Sequence, residues 1–340
     1  MDLLPPTSED RTMYDLWESV YYFPAVTVAD EIGLSSLLAQ AAISAVDVAD
    51  GLGLNLTPTV ALLGVTAGLG FLVKNNGLFH LTPNAREFLL PDSPYYWGGV
   101  LHPSRTDKLH QYILKALRKS DTDVKRMTGD WSSGQISPAL AERITTLMHS
   151  HSFASAMGMA GHCRFDGVSR LLDVGGGSGC YCIALASRFP EVRFAVLELP
   201  VVCDFTQGYI ARYGMEDRID TIALDMFRDR WPEDYDAHLF SEVFHDWSDA
   251  RCLELAKRSF EALPPGGRIY LHEILITESM DGPLTPMTYF LGLTTLTEGR
   301  QFTAQQLADL LTEAGFIDVT STPSAGYYSL TTGFKPSNRV

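Results

Sequence analysis

The densest chemistry in this chain lies in one short run, Leu171-Leu172-Asp173-Val174-Gly175-Gly176-Gly177-Ser178-Gly179. An apolar run that ends on an acid and passes into glycines reads as a strand opening into a tight turn, and Cys180 to Phe189 continues it as a helix. Glycines let the backbone turn sharply and let a ligand approach it closely. Nineteen positions beyond Gly179 stands Glu198, at the end of the next apolar run. A carboxylate placed there can accept hydrogen bonds from both hydroxyls of a ribose. A dinucleotide fingerprint requires G-x-G-x-x-G or a final Ala. Read from Gly175 its last position is Cys180, and read from Gly177 it is Cys182. The loop is G-x-G-x-G instead, with Asp173 beside it. That carboxylate would repel a pyrophosphate, but it suits a ligand with an ammonium and a ribose and no phosphate. S-adenosylmethionine has that chemistry.

The elements that must hold this loop follow from alternation. Short β-like runs at Arg170 to Val174, Arg193 to Leu197, Ile219 to Ala223, Ala237 to Glu242 and Arg268 to Ile274 alternate with helical patterns. One of those helices, Asp249 to Leu263, is closed by Pro264-Pro265-Gly266-Gly267. Such alternation predicts a parallel sheet with helices on both faces. The tail differs. A helix over Thr303 to Ala314 ends at Gly315, and two runs, Ile317 to Thr322 and Tyr327 to Gly333, are joined by a short turn. Strands joined that way are antiparallel, so the sheet is expected to be mixed at one edge.

The N-terminal third reads as helical. Thr57-Pro58 predicts an N-cap and first position for a helix running to about Gly70. Asn76-Gly77 between two short apolar runs predicts a hairpin with a type I′ turn. Helix, turn, helix and hairpin make the outline of a winged helix. From Met1 to Val73, however, the only Lys or Arg is Arg11. DNA reading needs phosphate anchors and base-reading side chains, and the outline lacks them. The uncharged helix after Pro58 is expected to pack against protein, a second subunit included. The basic positions gather in residues 104 to 126, at Arg105, Lys108, Lys115, Arg118, Lys119, Lys125 and Arg126, as a solvated helix face. Residues 137 to 162 predict a further helix.

Composition narrows the classes. The chain has 340 residues, with 26 Lys and Arg against 41 Asp and Glu, for a net charge of −15. That balance argues against nucleic acid and against anionic membrane surfaces. A hydrophobic share of 46% supports two domains with real cores. Five cysteines without CxxC spacing indicate neither a disulfide framework nor a zinc site, and fit a reduced, cytoplasmic compartment. No signal peptide is expected. Leu56 to Val73 is 18 residues without a charge, but its three glycines and Pro58 favour a buried core helix over a membrane span.

Six segments in order carry a wider resemblance: Asp173 to Gly179, Leu197-Glu198-Leu199-Pro200, Leu224-Asp225-Met226-Phe227, Phe244-His245-Asp246-Trp247, Leu263-Pro264-Pro265-Gly266-Gly267 and Glu298-Gly299-Arg300. Together they resemble the motifs of class I S-adenosylmethionine-dependent O-methyltransferases. The branch is the one with plant caffeate and isoflavone enzymes, acetylserotonin methyltransferases and bacterial natural-product tailoring enzymes. The resemblance covers essentially the whole chain. It implies an α/β fold with a Rossmann-like, mixed seven-stranded sheet and an N-terminal helical, winged-helix dimerisation domain. Its boundaries would be 1–103 for that domain, 104–165 for connecting helices that contribute to an acceptor pocket, and 166–340 for the catalytic domain. It also implies a homodimer, a small hydroxylated acceptor, and S-adenosylmethionine as cofactor with S-adenosylhomocysteine as product. By the same resemblance Asp173, Gly175, Gly177 and Gly179 line the methionyl part of the cofactor and Glu198 holds its ribose. Asp225, Met226 and Phe227 bracket the adenine. Ser241 stands near the cofactor, where plant relatives often carry Lys. Phe153, Met157, Asp246, Tyr289 and Phe290 fall to the acceptor.

His245 lies just beyond the fourth strand of the alternating region, and the carboxyl ends of parallel strands are where such sheets hold ligands. Methyl transfer needs an oxygen nucleophile aligned behind the methyl, so proximity supplies much of the rate. The hydroxyl must also lose its proton. An imidazole suits that role, which is worth roughly 10²- to 10⁴-fold. The resemblance makes His245 the general base and Glu273 its orienting acid. Where a second orienting acid is usual, this chain has Gln301, which can hydrogen-bond but carries no charge. Glu242 is expected to be a strand-end acid without a catalytic role. His272 alternates with Glu273 on a strand and is expected to be packed or hydrogen-bonded. His149 and His151, two positions apart, do not share a helix face, and no metal site is expected. The same base would serve C-methylation of an enol or phenol ring. A cofactor-binding regulator that has lost catalysis is the alternative from another class.

Overall fold

The computed structural model describes residues 3–118, 131 and 136–337; Lys119, Lys125 and Arg126 of the basic stretch lie outside the described residues. The chain forms two compact units, neither of them contiguous. Met1–Arg11, Thr128–Leu275 and Ala304–Val340 make one, and Thr12–Met127 with Ile276–Thr303 make the other. This differs from the contiguous boundaries that the sequence suggests, and packing gives the reason. Met287 lies so close to Gly64 that a Cβ there would meet its Cε at 2.0 Å, which ties residues 276–303 to the N-terminal helices.

The helical unit runs through α1 (Arg11–Glu18), α2 (Tyr22–Glu31), α3 (Leu34–Gln40), α4 (Ala45–Leu52) and α5 (Leu56–Gly68). A hairpin follows, β1 (Leu72–Asn75) and β2 (Leu78–Leu81), and then α6 (Pro83–Phe88), α7 (Gly98–Leu101) and α8 (Lys108–Arg118). The hairpin turn has Asn76 at φ 50° and Gly77 at φ 82°, the two positive values that a type I′ turn demands. Ser44 and Asp47 form a capping box on α4, with the Asp47 N–H donating to Ser44 Oγ at 3.2 Å. α5 starts earlier than its Thr57-Pro58 signal. Asn55 is the N-cap residue, and its side-chain amide donates to the Ala116 carbonyl at 2.9 Å instead of capping. Pro58 thus sits third in the helix, where a backbone N–H would still lack an intrahelical acceptor. Ala61, Leu62, Leu63 and Val65 of α5 are fully buried with Val28, Leu34, Phe79 and Leu291. Among the described residues no single helix is long and apolar enough to cross a membrane.

The other unit is built on a seven-stranded sheet ordered β5-β4-β3-β6-β7-β9-β8. Its strands are β3 (Arg170–Val174), β4 (Arg193–Glu198), β5 (Ile219–Ala223), β6 (Ala237–Ser241), β7 (Arg268–Ile274), β8 (Ile317–Pro323) and β9 (Tyr328–Phe334). β3 to β7 are parallel, while β9 is antiparallel to both β7 and β8, so the sheet is mixed at one edge as expected. The helices of the chain continue with α9 (Pro138–His162), α10 (Cys180–Arg188), α11 (Pro200–Arg212) and α12 (Asp249–Ala262). α13 (Leu284–Leu296) belongs to the helical unit, and α14 (Ala304–Glu313) returns to the sheet unit. The central strands are buried along nearly their whole length, which is why they read as continuous apolar runs. Strand order reverses between β3 and β6. That switch point opens a crevice at the carboxyl ends of the two strands, the usual ligand site of such sheets.

Candidate active site

Two groups of acids stand at that crevice. The first surrounds the glycine loop. The Gly175 N–H donates to the Leu197 carbonyl at 2.9 Å, which fastens the loop to β4. A Cβ on Gly176 would lie 2.5 Å from Asp173 Oδ2 and 3.0 Å from Val196, so a side chain has no room there. From α11, Thr206 Oγ1 donates to the Gly177 carbonyl at 2.6 Å. From α9, His149 Nδ1 lies 3.0 Å from Ser178 Oγ, and its ring stacks on Tyr209 at 4.0 Å. Burial lowers the His149 pKa to about 4, so the ring is a neutral clasp on the loop at ordinary pH.

Asp173 is fully buried. Its Oδ2 is 3.6 Å from the Cys182 thiol, and its Oδ1 has no hydrogen-bond partner among the described residues. Burial pushes its carboxyl up to about 7; the thiol hydrogen bond opposes this and Glu198 adds to it. Glu198 ends β4 and accepts the Leu199 N–H at 2.6 Å. Burial holds it too at about 7, against the N–H groups of Leu199 and Gly177. Among the described residues no cation offsets burial at either acid. An orphaned carboxylate oxygen at the loop and a second carboxyl on the next strand fit a ligand with an ammonium and vicinal hydroxyls.

After β5, Asp225 Oδ1 accepts the Phe227 N–H at 2.9 Å, and the Met226 carbonyl accepts the Trp231 indole N–H at 2.9 Å. Met226 Sδ would lie 3.8 Å from a Cβ on Gly175, so Met226 faces the loop. Phe227 meets Trp247 edge-on at 4.7 Å. Leu199, Val201, Asp225 and Arg228 line an open cleft of about 470 Å³. Ser241 ends β6, buried, in register with His272.

The second group surrounds His245, which sits in a short 3-10 turn over Phe244–Asp246 just past β6. Glu273 of β7 holds this turn from the next strand. Its Oε1 accepts the N–H groups of Val243 at 3.1 Å and Phe244 at 3.0 Å, and its Oε2 lies 2.7 Å from His245 Nδ1. A carboxylate only accepts, so Nδ1 carries the proton and Nε2 is the basic nitrogen of the neutral ring. Burial disfavours the charged ring, but Glu273, Asp246 and Glu242 outweigh it and push the His245 pKa up to about 9. Asp246 Oδ1 lies 3.8 Å from His245 Nε2. Burial raises the Asp246 carboxyl to about 6, with His245 opposing. This arrangement can take a proton and hold the resulting imidazolium. Glu242 is more than a bare strand end: Ser152, His151 and Tyr328 all reach its carboxylate. His272 is hydrogen-bonded, with Tyr181 at 2.9 Å and Ser324 at 2.7 Å.

The remaining expected residues divide between the units. In the sheet unit Phe153 stacks on His149 at 5.2 Å, and Met157 packs into the core. In the helical unit Tyr289 tilts against Trp17 at 6.2 Å, whereas Phe290, 2% exposed, is spent on the core. Gln301 also belongs to the helical unit. It is fully buried, and neither side-chain amide atom has a hydrogen-bond partner among the described residues. His149, Ser152 and Tyr328 carry no local sequence signal of their roles. Their partners lie 29, 90 and 86 positions away.

Comparison with known proteins bears on the chemistry. A family profile described as an O-methyltransferase domain matches residues 113–317. The 3-hydroxy-5-methyl-1-naphthoate 3-O-methyltransferase of Streptomyces sahachiroi is 30% identical, over 93% of this chain and 92% of that protein. The L-tyrosine C(3)-methyltransferase of Streptomyces lavendulae is 28% identical, over 76% of this chain and 72% of that protein. Among solved structures, an O-methyltransferase family 2 protein from Planctomyces limnophilus, in complex with apigenin, has the same fold at TM-score 0.87. It is 24% identical, with 98% of each chain covered. Human N-acetylserotonin methyltransferase in complex with S-adenosylmethionine matches at TM-score 0.57 and 22% identity, over 98% of this chain and 100% of that one.

Proposed function

The chain belongs to the S-adenosylmethionine-dependent O-methyltransferases, and from that premise we propose the reaction it carries out. It moves a methyl group to a hydroxyl of a small aromatic or enolic natural-product precursor, with His245 as the general base. The observation that carries this reading is the buried His245–Glu273 pair, 2.7 Å apart at the carboxyl ends of β6 and β7. When bound, S-adenosylmethionine supplies a methyl on a positively charged sulfur, so little is needed beyond alignment and loss of the acceptor proton. Asp173 takes the ammonium on Oδ1, which has no hydrogen-bond partner among the described residues, and Glu198 takes the ribose. His245 Nε2 receives the hydroxyl proton, while Glu273 fixes the ring and balances its charge. Burial disfavours the charged ring, but Glu273, Asp246 and Glu242 raise its pKa to about 9. A bound cation nearby shifts it toward the neutral, basic form. Phe153 and Asp246 are assigned to the acceptor.

The relative that methylates a hydroxynaphthoate supports an aromatic hydroxyl as the acceptor group. A homodimer through the helical unit is part of the same proposal. It is supported by the exposed apolar face of Met13, Leu16, Trp17, Val20 and Phe23. All five cysteines are buried and none is in a disulfide, which supports a reducing, cytoplasmic setting. The test is incubation with methyl-labelled S-adenosylmethionine and a panel of phenols and enols, read as labelled product. A second reading, methylation at ring carbon, is favoured by the tyrosine C-methylating relative and is separated by the atom that carries the label. No labelled product from any member of the panel would overturn both.

A further inference from the structure

Four described non-glycine residues have positive φ: Asn76, Glu242, Met280 and Asp318. Of these only Glu242, at φ 56°, is buried. A left-handed backbone at a buried glutamate persists only where the surroundings over-determine it. They do so here from two elements. Ser152 Oγ of α9 donates to one carboxylate oxygen and Tyr328 OH of β9 donates to the other. His151 of α9 stands 3.4 Å from the second oxygen. Tyr328 is itself fixed by stacking on His272 at 4.8 Å, and the Glu242 N–H donates to the His272 carbonyl at 3.1 Å. The residue thus anchored lies three positions before His245, in the turn that delivers the imidazole to Glu273.

We propose that Glu242 is a positioning residue for His245: its clamp to α9 and β9 fixes the left-handed turn, and its buried carboxylate is a fixed negative charge three positions before the imidazole. The proposal rests on the reading of His245 as the base. Charge supports it. Burial works against ionisation of Glu242, but His151, Ser152 and His245 overcome it and draw the carboxyl down to about 2. Glu242 in turn acts on its neighbours. It favours the charged His245 and raises Asp246. Other groups share this field: Asp10 from the N-terminal segment, Cys180 from α10, and Glu273 and His272 from β7.

The test uses the full chain without cofactor, labelled with 15N-histidine and titrated by NMR, with the His245 signal assigned by H245N. In E242Q, which keeps the shape and loses the charge, the His245 midpoint is expected to fall by about one pH unit. In S152A, which keeps the charge and loosens one grip, the midpoint is expected to hold while kcat falls several-fold and S-adenosylhomocysteine affinity is unchanged. An unmoved midpoint in an E242Q protein that binds S-adenosylhomocysteine like the wild type overturns the proposal. If E242Q does not fold, wild-type kcat in both S152A and Y328F overturns it. Because the titration needs no turnover, failure of the methyl-transfer reading shows separately, as a falling midpoint in a protein that methylates nothing in the panel.

Discussion

The carboxyl ends of β3 and β4 hold buried acids, and so do those of β6 and β7, yet the two pairs are managed in opposite ways. Among the described residues Asp173 and Glu198 have no cation beside them, and burial lifts both to about 7. Glu242 is just as buried, and its histidine and hydroxyl partners draw it down to about 2. Glu273 spends both oxygens on the turn it supports, one on two backbone N–H groups and the other on an imidazole. In the proposed function a ligand brings donors and positive charge to the first pair. The second is complete in itself and exists to hold one imidazole. Burial alone therefore says little about an acid's role; what answers the burial says more.

Variants on the two sides should separate cleanly. The largest expected effect is at the complete end: His245→Ala lowers kcat by roughly 10²- to 10⁴-fold, with S-adenosylhomocysteine affinity, read by calorimetry, within a few-fold of wild type. A comparable loss of affinity would show that the two ends are not distinct. At the incomplete end, Glu198→Ala is expected to weaken cofactor binding by about 1–3 kcal/mol, because hydrogen bonds to a charged acceptor are lost, while kcat at saturation stays near wild type. An unchanged Kd would move the ribose elsewhere.

A smaller effect sharpens the contrast through pH. Ligand donors favour the ionised forms of Asp173 and Glu198, whose free pKa values are both raised to about 7. Binding of S-adenosylhomocysteine should therefore strengthen as pH rises through 7 and release protons, measured by titration in buffers of different ionisation enthalpy. A flat Kd with no proton release contradicts the assignment. The smallest effect is on stability. His245 is raised from 6.5 to about 9, so its stabilising contribution is complete below 6.5 and is lost as pH rises through 9. Wild-type Tm should fall more than that of His245→Ala across that window. Parallel curves would mean that the imidazolium adds nothing to the fold.

Much of this was legible in the sequence. β3 and β7 occupy the predicted spans because strands buried on both faces read as apolar runs between turn residues. Asn76-Gly77 announced its hairpin through local conformational preference alone. What stayed hidden depends on distant partners. α5 starts before its Thr57-Pro58 signal, and the amide of its N-cap residue, Asn55, is drawn to Ala116, 61 positions away. The grouping of residues 276–303 with the first helices rests on the contact of Met287 with Gly64. Glu242 reads as an ordinary strand-end acid, since neither its backbone conformation nor the residues that grip it have a nearby signature.

In the proposed reaction a base held by Glu273 takes the proton of an acceptor hydroxyl, and the oxygen receives the methyl group. The most direct measurement is single-turnover transfer from 13C-methyl S-adenosylmethionine to a phenolic acceptor, comparing wild type with His245→Ala and locating the labelled carbon by NMR. A methoxy carbon is expected in wild type, with at least about a 10²-fold slower appearance in the variant. A label on ring carbon, or a methoxy carbon formed equally fast without His245, would contradict it.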